Sequence, residues 1–313
     1  MLLNQHRQGM TQMTDQKMLP ARSRILVSIV VGLTSGFLCS FFMRRLAHGA
    51  DFTWSIHLAQ RLLQHQNPYD TPLEQYPITA GFFALPFVKL PREIAAGIFY
   101  GISSGVLAFG LAREGYHRLL VFLAYPYWIG LLYVQWSPII MAAAFFPLLM
   151  PLTMAKPQVG LPVFLTRFSL RGCLFCVAVA FATLLVLPRW PLLWLGQLHN
   201  YEHFIALLVL PGPLILLAVL RYRDRDAMLL LLTACMPQRW FFDTLILWLI
   251  PQTRREILVT VFFSWFAGIW RWYHPPQTFA QVGRWIVLST YLPMLAIVLL
   301  REKTSNRKGS RLR

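Results

Sequence analysis

Hydrophobic runs recur along almost the whole of this chain, near 25–43, 78–88, 94–112, 119–134, 138–154, 157–166, 173–187, 204–220, 227–237, 240–250, 257–270 and 285–300. A soluble domain of 313 residues alternates polar and apolar stretches around one core. Here 57% of the residues are apolar, and they gather in blocks suited to lipid. In a bilayer the backbone must satisfy its own hydrogen bonds, so such blocks fold as helices. The expected fold class is therefore all-α, a polytopic integral membrane protein with about 10–12 transmembrane helices. The blocks at 78–88, 157–166 and 240–250 hold about half of the ~20 residues a helical crossing needs. These are expected to be tilted or re-entrant, and broken helices at that depth line a cavity.

The formal net charge is +17, from 29 Lys and Arg against 12 Asp and Glu. The basic residues sit in short loops between apolar runs, which sets orientation in a membrane. They form no stripe interleaved with aromatics on a soluble surface, so nucleic acid is not an expected partner. Placing the N-terminus in the cytoplasm and letting each run cross once leaves most basic residues inside, with Lys89 and Arg92 among them. The bias is clearest at 221–226, 251–255 and the C-terminal tail, and both termini then lie inside. The division is a basic tail at 1–24, a single membrane domain at 25–300 and a second basic tail at 301–313. The first run is too long for a signal-peptide core and is read as a retained helix. Cys173 and Cys176 form C-x-x-C within an apolar run, where a thiol behaves as a small hydrophobe.

The longest outer loop, 44–79, carries the first chemistry. From Asp51, the residues Phe52, Ile56, Ala59 and Leu63 recur at helical spacing, with His57, Gln60, Arg61 and Gln64 between them. This helix is expected to lie on the membrane surface, apolar face down. Asn67-Pro68-Tyr69-Asp70 is a turn, and Tyr76-Pro77 leads back into the bilayer. Asp51 has two readings: an N-cap that accepts a backbone N–H, or a general base for an acceptor hydroxyl. Lys156 and Arg239 interrupt apolar runs, and intramembrane ionisable residues are functional candidates. Either cation suits a phosphate. Asp243 is spaced to pair with Arg239 at i,i+4. His199 and His203 share that spacing, but no third metal ligand is evident. Trp190, Trp194, Trp270 and Trp272 read as interfacial anchors.

Asp51-Phe52, Asn67-Pro68-Tyr69, Tyr76-Pro77, Gln135, Lys156-Pro157-Gln158 and Pro237 followed by Trp240 and Asp243 resemble, in that order, glycosyltransferase family 87. These are C-superfamily membrane glycosyltransferases that use polyprenyl-phosphate sugars, many of them mannosyltransferases. The resemblance runs from the first helix to about Pro251. It implies an inverting transfer of a hexosyl, usually mannosyl, unit at the outer face of the plasma membrane. The partners would be a polyprenyl-phosphate-linked sugar donor and a lipid or glycan acceptor. Asp51 would be the base, Lys156 and Arg239 would hold the donor phosphate, and Asn67, Tyr69, Tyr76, Gln135, Gln158 and Asp243 would line the cavity. No cofactor is implied, and a divalent metal is left open. Two positions depart from the family pattern: Ile78 follows Tyr76-Pro77 where members often have a second proline, and Val134 precedes Gln135 where they often have glycine. One crossing per run also puts Gln135 on the inner side, away from Asp51. A transporter or lipid-handling protein, or a non-catalytic subunit of the same fold, are the other readings. The transporter would call for two symmetric halves with broken helices, and the sequence shows no such symmetry.

Overall fold

The computed structural model describes residues 21–45, 51–70, 75–275 and 278–301. Most of both basic tails lies outside them. The described residues are almost wholly helical. Their one sheet pairs β1 (Phe204–Ile205) antiparallel with β2 (Pro237–Gln238). Three helical stretches are long and apolar enough to cross a membrane: Ala21–Arg45, Arg92–Ala112 and Phe279–Leu300. A fourth is possible if Leu170–Val186 and Trp190–Gln197, bent by 92°, form one span.

Helix α1 (Ala21–Arg45) packs by a narrow stripe of small residues. A Cβ on Gly36 would stand 2.8 Å from the Gly97 carbonyl oxygen, so the two backbones are in direct contact. Next comes α2 (Asp51–Leu63), and then α3 (Ile78–Ala84), which runs into a 3₁₀ turn at Leu85–Phe87. The chain continues in α4 (Arg92–Ala112). Arg44 reaches Glu93 at 3.8 Å, while Arg24 lies over Phe109. Helices α1 and α4 are therefore antiparallel, and α4 begins where α1 ends. It follows that the 78–88 run does not cross. Ile78–Phe87 is one continuous helix that runs back along α2, Gly81 against Leu58 and Phe87 against Phe52, and leaves Lys89 and Arg92 at the Arg44 end and not the opposite one.

The next pass is a 3₁₀ run at Tyr116–Leu123 followed by α5 (Tyr125–Leu132). It ends beside Asp51, whose amide donates to the Tyr133 carbonyl at 3.0 Å. Gln135 therefore sits at the Asp51 end, which corrects its placement on the inner side. The 138–154 run is also not one crossing. Helix α6 (Ser137–Ala143) leads to Phe146, which stacks on Phe109 at the far end, and the 3₁₀ run Pro147–Ala155 comes back to Lys156. The return through Pro147–Ala155 has a physical cause. A 3₁₀ helix rises about 2.0 Å per residue against 1.5 Å for an α-helix, so a nine-residue run reaches about 18 Å and a short apolar block suffices for a long pass.

Helices α7 (Pro157–Thr166), α8 (Leu170–Val186) and α9 (Trp190–Gln197) follow, then the 3₁₀ runs Gly212–Arg221 and Phe241–Leu249 on either side of α10 (Arg225–Cys235). Helix α11 (Arg254–Tyr273) opens on a capping box between Thr253 and Glu256. Helix α12 (Phe279–Ile286) runs through a π turn at Val287–Tyr291 into α13 (Leu292–Leu300). The end away from Asp51 is tied by charge. Asp226 meets Arg301 at 2.7 Å and Arg167 at 3.5 Å, and Arg118 bonds Glu114 and the Pro251 carbonyl.

Helix α2 is amphipathic as its spacing indicates, but protein covers its apolar face, not lipid. Phe52 is fully buried and stacks on Phe99 with ring centroids 3.8 Å apart, and Trp136 closes edge-on at 5.6 Å. Trp190 is likewise buried against Leu58, Tyr69 and Ile78 instead of anchoring at an interface. Trp272, 85% exposed, is free to do so.

Candidate functional site

The burial of Phe52, Ile56 and Ala59 fixes the rotation of α2. Asp51, its first residue, then faces a cavity of about 340 Å³. Its carboxylate does not cap the helix. Oδ2 accepts a bond from the Tyr76 hydroxyl at 2.5 Å and another from Lys156 Nζ at 3.2 Å.

Lys156 sits at the break between the Pro147–Ala155 run and α7. Pro157 takes the first helical position, where its missing N–H costs nothing. The ammonium is 3.2 Å from Asp51, 2.8 Å from Asp243 Oδ1 and 2.7 Å from Gln135 Oε1, and it lies 4.7 Å from the centroid of the Phe242 ring. Burial alone would lower its pKa, but the carboxylates of Asp243 and Asp51 outweigh that and hold it above the ordinary lysine value. Asp51 Oδ2 and Gln135 Oε1 accept hydrogen bonds from the ammonium, and Asp243 Oδ1 pairs with it by charge. Lys156 is thus held among protein groups and does not snorkel to a surface.

Asp243 is buried with Lys156. Its Oδ2 accepts from the backbone N–H of Arg239 at 3.1 Å, so the i,i+4 pairing runs through the main chain and not through the guanidinium. The Arg239 guanidinium instead lies over the rings of Tyr201 (5.2 Å) and Phe279 (5.7 Å) and donates to Gln75 Oε1 at 3.2 Å. Its Nε is buried and has no hydrogen-bond partner among the described residues. Gln158 lines the same cavity and donates to the Tyr201 hydroxyl at 3.1 Å.

Asp51, Tyr76, Gln135, Lys156, Gln158, Arg239 and Asp243 thus meet in one place. Asn67 and Tyr69 do not line the cavity. Asn67 closes the turn through Asp70 at 2.6 Å and the Tyr69 amide at 3.1 Å, and the Tyr69 hydroxyl bonds the Tyr76 carbonyl at 3.2 Å, one layer behind the site. His199 and His203 turn their Nδ1 atoms to the carbonyls of Gly196 and Tyr201.

Sequence reasoning missed Tyr201, Gln75 and Phe242. Phe242 could have been found as the neighbour of Asp243. Tyr201 and Gln75 lie in polar loops with no signal of their own. Burial raises the Tyr201 pKa, and the Asp243 carboxylate pushes the same way. Tyr76 is raised well above the ordinary tyrosine value, first by burial and then by Asp51. Both stay neutral and able to donate.

The site brings together two carboxylates, one ammonium and one guanidinium, with Asp243 behind the cavity wall. The ammonium is shared between the carboxylates, and among the described residues the guanidinium hydrogen-bonds only the Gln75 amide. The Asp51 side chain is 29% exposed against 0% for Asp243, so Asp51 is the carboxylate a ligand can reach. An accessible base and an under-bonded cation line one hollow. No protein-family model matches this sequence, and no match was found among curated proteins or solved structures.

Proposed function

We propose that this chain is a membrane glycosyltransferase that moves a hexosyl unit, most simply mannosyl, from a polyprenyl phosphate to a lipid or glycan hydroxyl. The observation that carries the reading is the shared cavity of Asp51 and Arg239. Asp51 takes the proton of the acceptor hydroxyl as its oxygen attacks the anomeric carbon, inverting it. The bond from that carbon to the phosphate oxygen breaks, and its electron pair stays with the phosphate. Negative charge grows on the leaving group, where the Arg239 guanidinium meets it in a water-poor hollow. Lys156 does not touch the donor in this scheme. It neutralises Asp243, and with the Tyr76 hydroxyl it holds the Asp51 carboxylate in place.

The order of motifs that resembles family 87 supports the same assignment. So does the setting at one end of a bundle containing membrane-length helices. On this reading the chain spans the plasma membrane repeatedly, the Asp51 end faces outward and the Asp226 end, richer in arginine, faces the cytoplasm.

The test is transfer from radiolabelled polyprenyl-phosphate mannose into a membrane lipid extract by the purified protein. Asp51→Asn keeps the shape of the side chain and removes the base, so transfer should fall by about 10² to 10⁴. A wild-type rate in Asp51→Asn would sink the assignment.

A further inference from the structure

A second cavity, of about 510 Å³, adjoins the first at Trp240. Trp240 lines the Asp51 cavity, and the guanidinium of Arg271, which lines the second, lies 4.3 Å from the centroid of its ring. The second cavity holds Arg271, Arg284 and His274, and none of its lining residues is acidic. Among the described residues Arg271 makes one side-chain hydrogen bond, to the Tyr125 hydroxyl at 3.3 Å. Arg284 is exposed and has no hydrogen-bond or ion-pair partner among the described residues.

The wall between these cations is aromatic. His274 stacks on Trp270 at 4.0 Å, and Trp285 packs on Trp270 at 4.7 Å. The hollow lies between α11 and the membrane-length stretch Phe279–Leu300. Exposed Trp272 and Tyr273 mark the same end of α11, as residues at a lipid–water boundary do. Two guanidinium groups without counter-carboxylates select an anion, and arginine matches phosphate best by its fork of donors. An aromatic wall beside a membrane-length helix favours an anion that carries apolar chains.

We infer that this second cavity is the acceptor site, and that the acceptor is an anionic phospholipid. Its phosphate rests on Arg271 and Arg284, its chains lie along Phe279–Leu300, and its head-group hydroxyl passes the edge of Trp240 toward Asp51. The inference rests on the glycosyltransferase reading for the word acceptor. The binding site stands on the cavity itself.

Binding is the readout that separates the two. Short-chain phosphatidylinositol, phosphatidylglycerol, phosphatidylcholine and polyprenyl phosphate are titrated separately into the detergent-purified full chain, followed by native mass spectrometry. Arg284→Gln, an exposed substitution that the fold tolerates, should weaken the two anionic phospholipids at least tenfold and leave polyprenyl phosphate unchanged. Arg239→Gln should do the reverse. Equal binding of phosphatidylcholine and the anionic lipids would overturn the site, as would an Arg284→Gln variant that binds all of them like wild type. Loss of polyprenyl phosphate in Arg284→Gln would give the cavity to the donor and overturn the acceptor assignment. If anionic lipid binding depends on Arg284 while wild type transfers no sugar, the site is upheld and its acceptor role overturned.

Discussion

Lys156 Nζ lies 2.8 Å from Asp243 Oδ1, and both side chains are almost completely buried. A buried pair of this kind is weak evidence of net stabilisation, because desolvating both charges offsets their attraction. Removing one partner is a different matter, since it strands the other charge. Lys156→Met should therefore destabilise the protein by about 3–5 kcal/mol, read as a lowered unfolding temperature in detergent. Lys156→Met combined with Asp243→Leu should recover most of that loss. If the double variant is as unstable as the single one, the pair is not what holds this end of the bundle together.

Ionisable residues in an apolar chain stand out, because placing them in lipid without a partner is costly. That contrast makes Asp51, Lys156, Arg239 and Asp243 legible in the sequence. Tyr201 and Phe242 had no such contrast among 23 Phe and 11 Tyr residues. The all-α class was legible for the same reason, but the path of the chain was not. An apolar run of about ten residues reads alike whether it runs back along a neighbour, as Ile78–Phe87 does along α2, or passes along the bundle in 3₁₀ form, as Phe241–Leu249 does. Periodicity showed which face of α2 is apolar and was silent on whether lipid or Phe99 and Trp136 would cover it. One crossing per run misplaces Gln135, because the Ile78–Phe87 helix brings the chain back to the Arg44 end.

Val134 adopts a φ of 49°, a left-handed conformation that β-branched residues rarely accept. The turn it makes delivers Gln135 to Lys156. This is also where members of family 87 often have glycine. At an ordinary buried site Val→Gly costs more than Val→Ala, because glycine adds backbone entropy to the loss of packing. Here alanine loses packing and keeps the left-handed strain of about 1–2 kcal/mol, whereas glycine loses packing and relieves it. Val134→Gly should therefore unfold at a higher temperature than Val134→Ala. The usual order, with alanine the more stable, would count against the conformation.

Tyr76 and Tyr201 lie in loops around the cavity, and both have pKa values raised above the ordinary tyrosine value, by burial first. The folded protein keeps protons that the unfolded chain releases near pH 10. Stability from these groups is thus fully present below that pH and is lost as pH rises through it. Thermal unfolding followed from pH 8 to 11 should show a fall that begins near pH 10. Tyr76→Phe and Tyr201→Phe should each flatten it, since neither replacement can ionise. An unchanged slope in both would mean that other groups govern alkaline unfolding.

Arg239 and Asp51 should separate in kinetics because they act on different partners. Among the described residues the Arg239 Nε is buried without an acceptor, and a phosphate oxygen of the donor would supply one. A hydrogen bond to a charged group contributes about 1.5–3 kcal/mol, equivalent to roughly tenfold to a hundredfold in affinity. Arg239→Gln should raise the donor KM by that factor. Because phosphate charge grows as the glycosidic bond breaks, kcat should fall as well. Arg239→Lys restores the charge but neither the planar fork nor its stacking on Tyr201, so it should recover only part of the loss. Asp51→Asn should instead lower kcat with little change in donor KM, since the acceptor proton, not the donor, is its partner. Measured KM and kcat for the three variants decide the matter: if Arg239→Gln and Asp51→Asn show the same profile, the two residues do not divide base and phosphate contact between them.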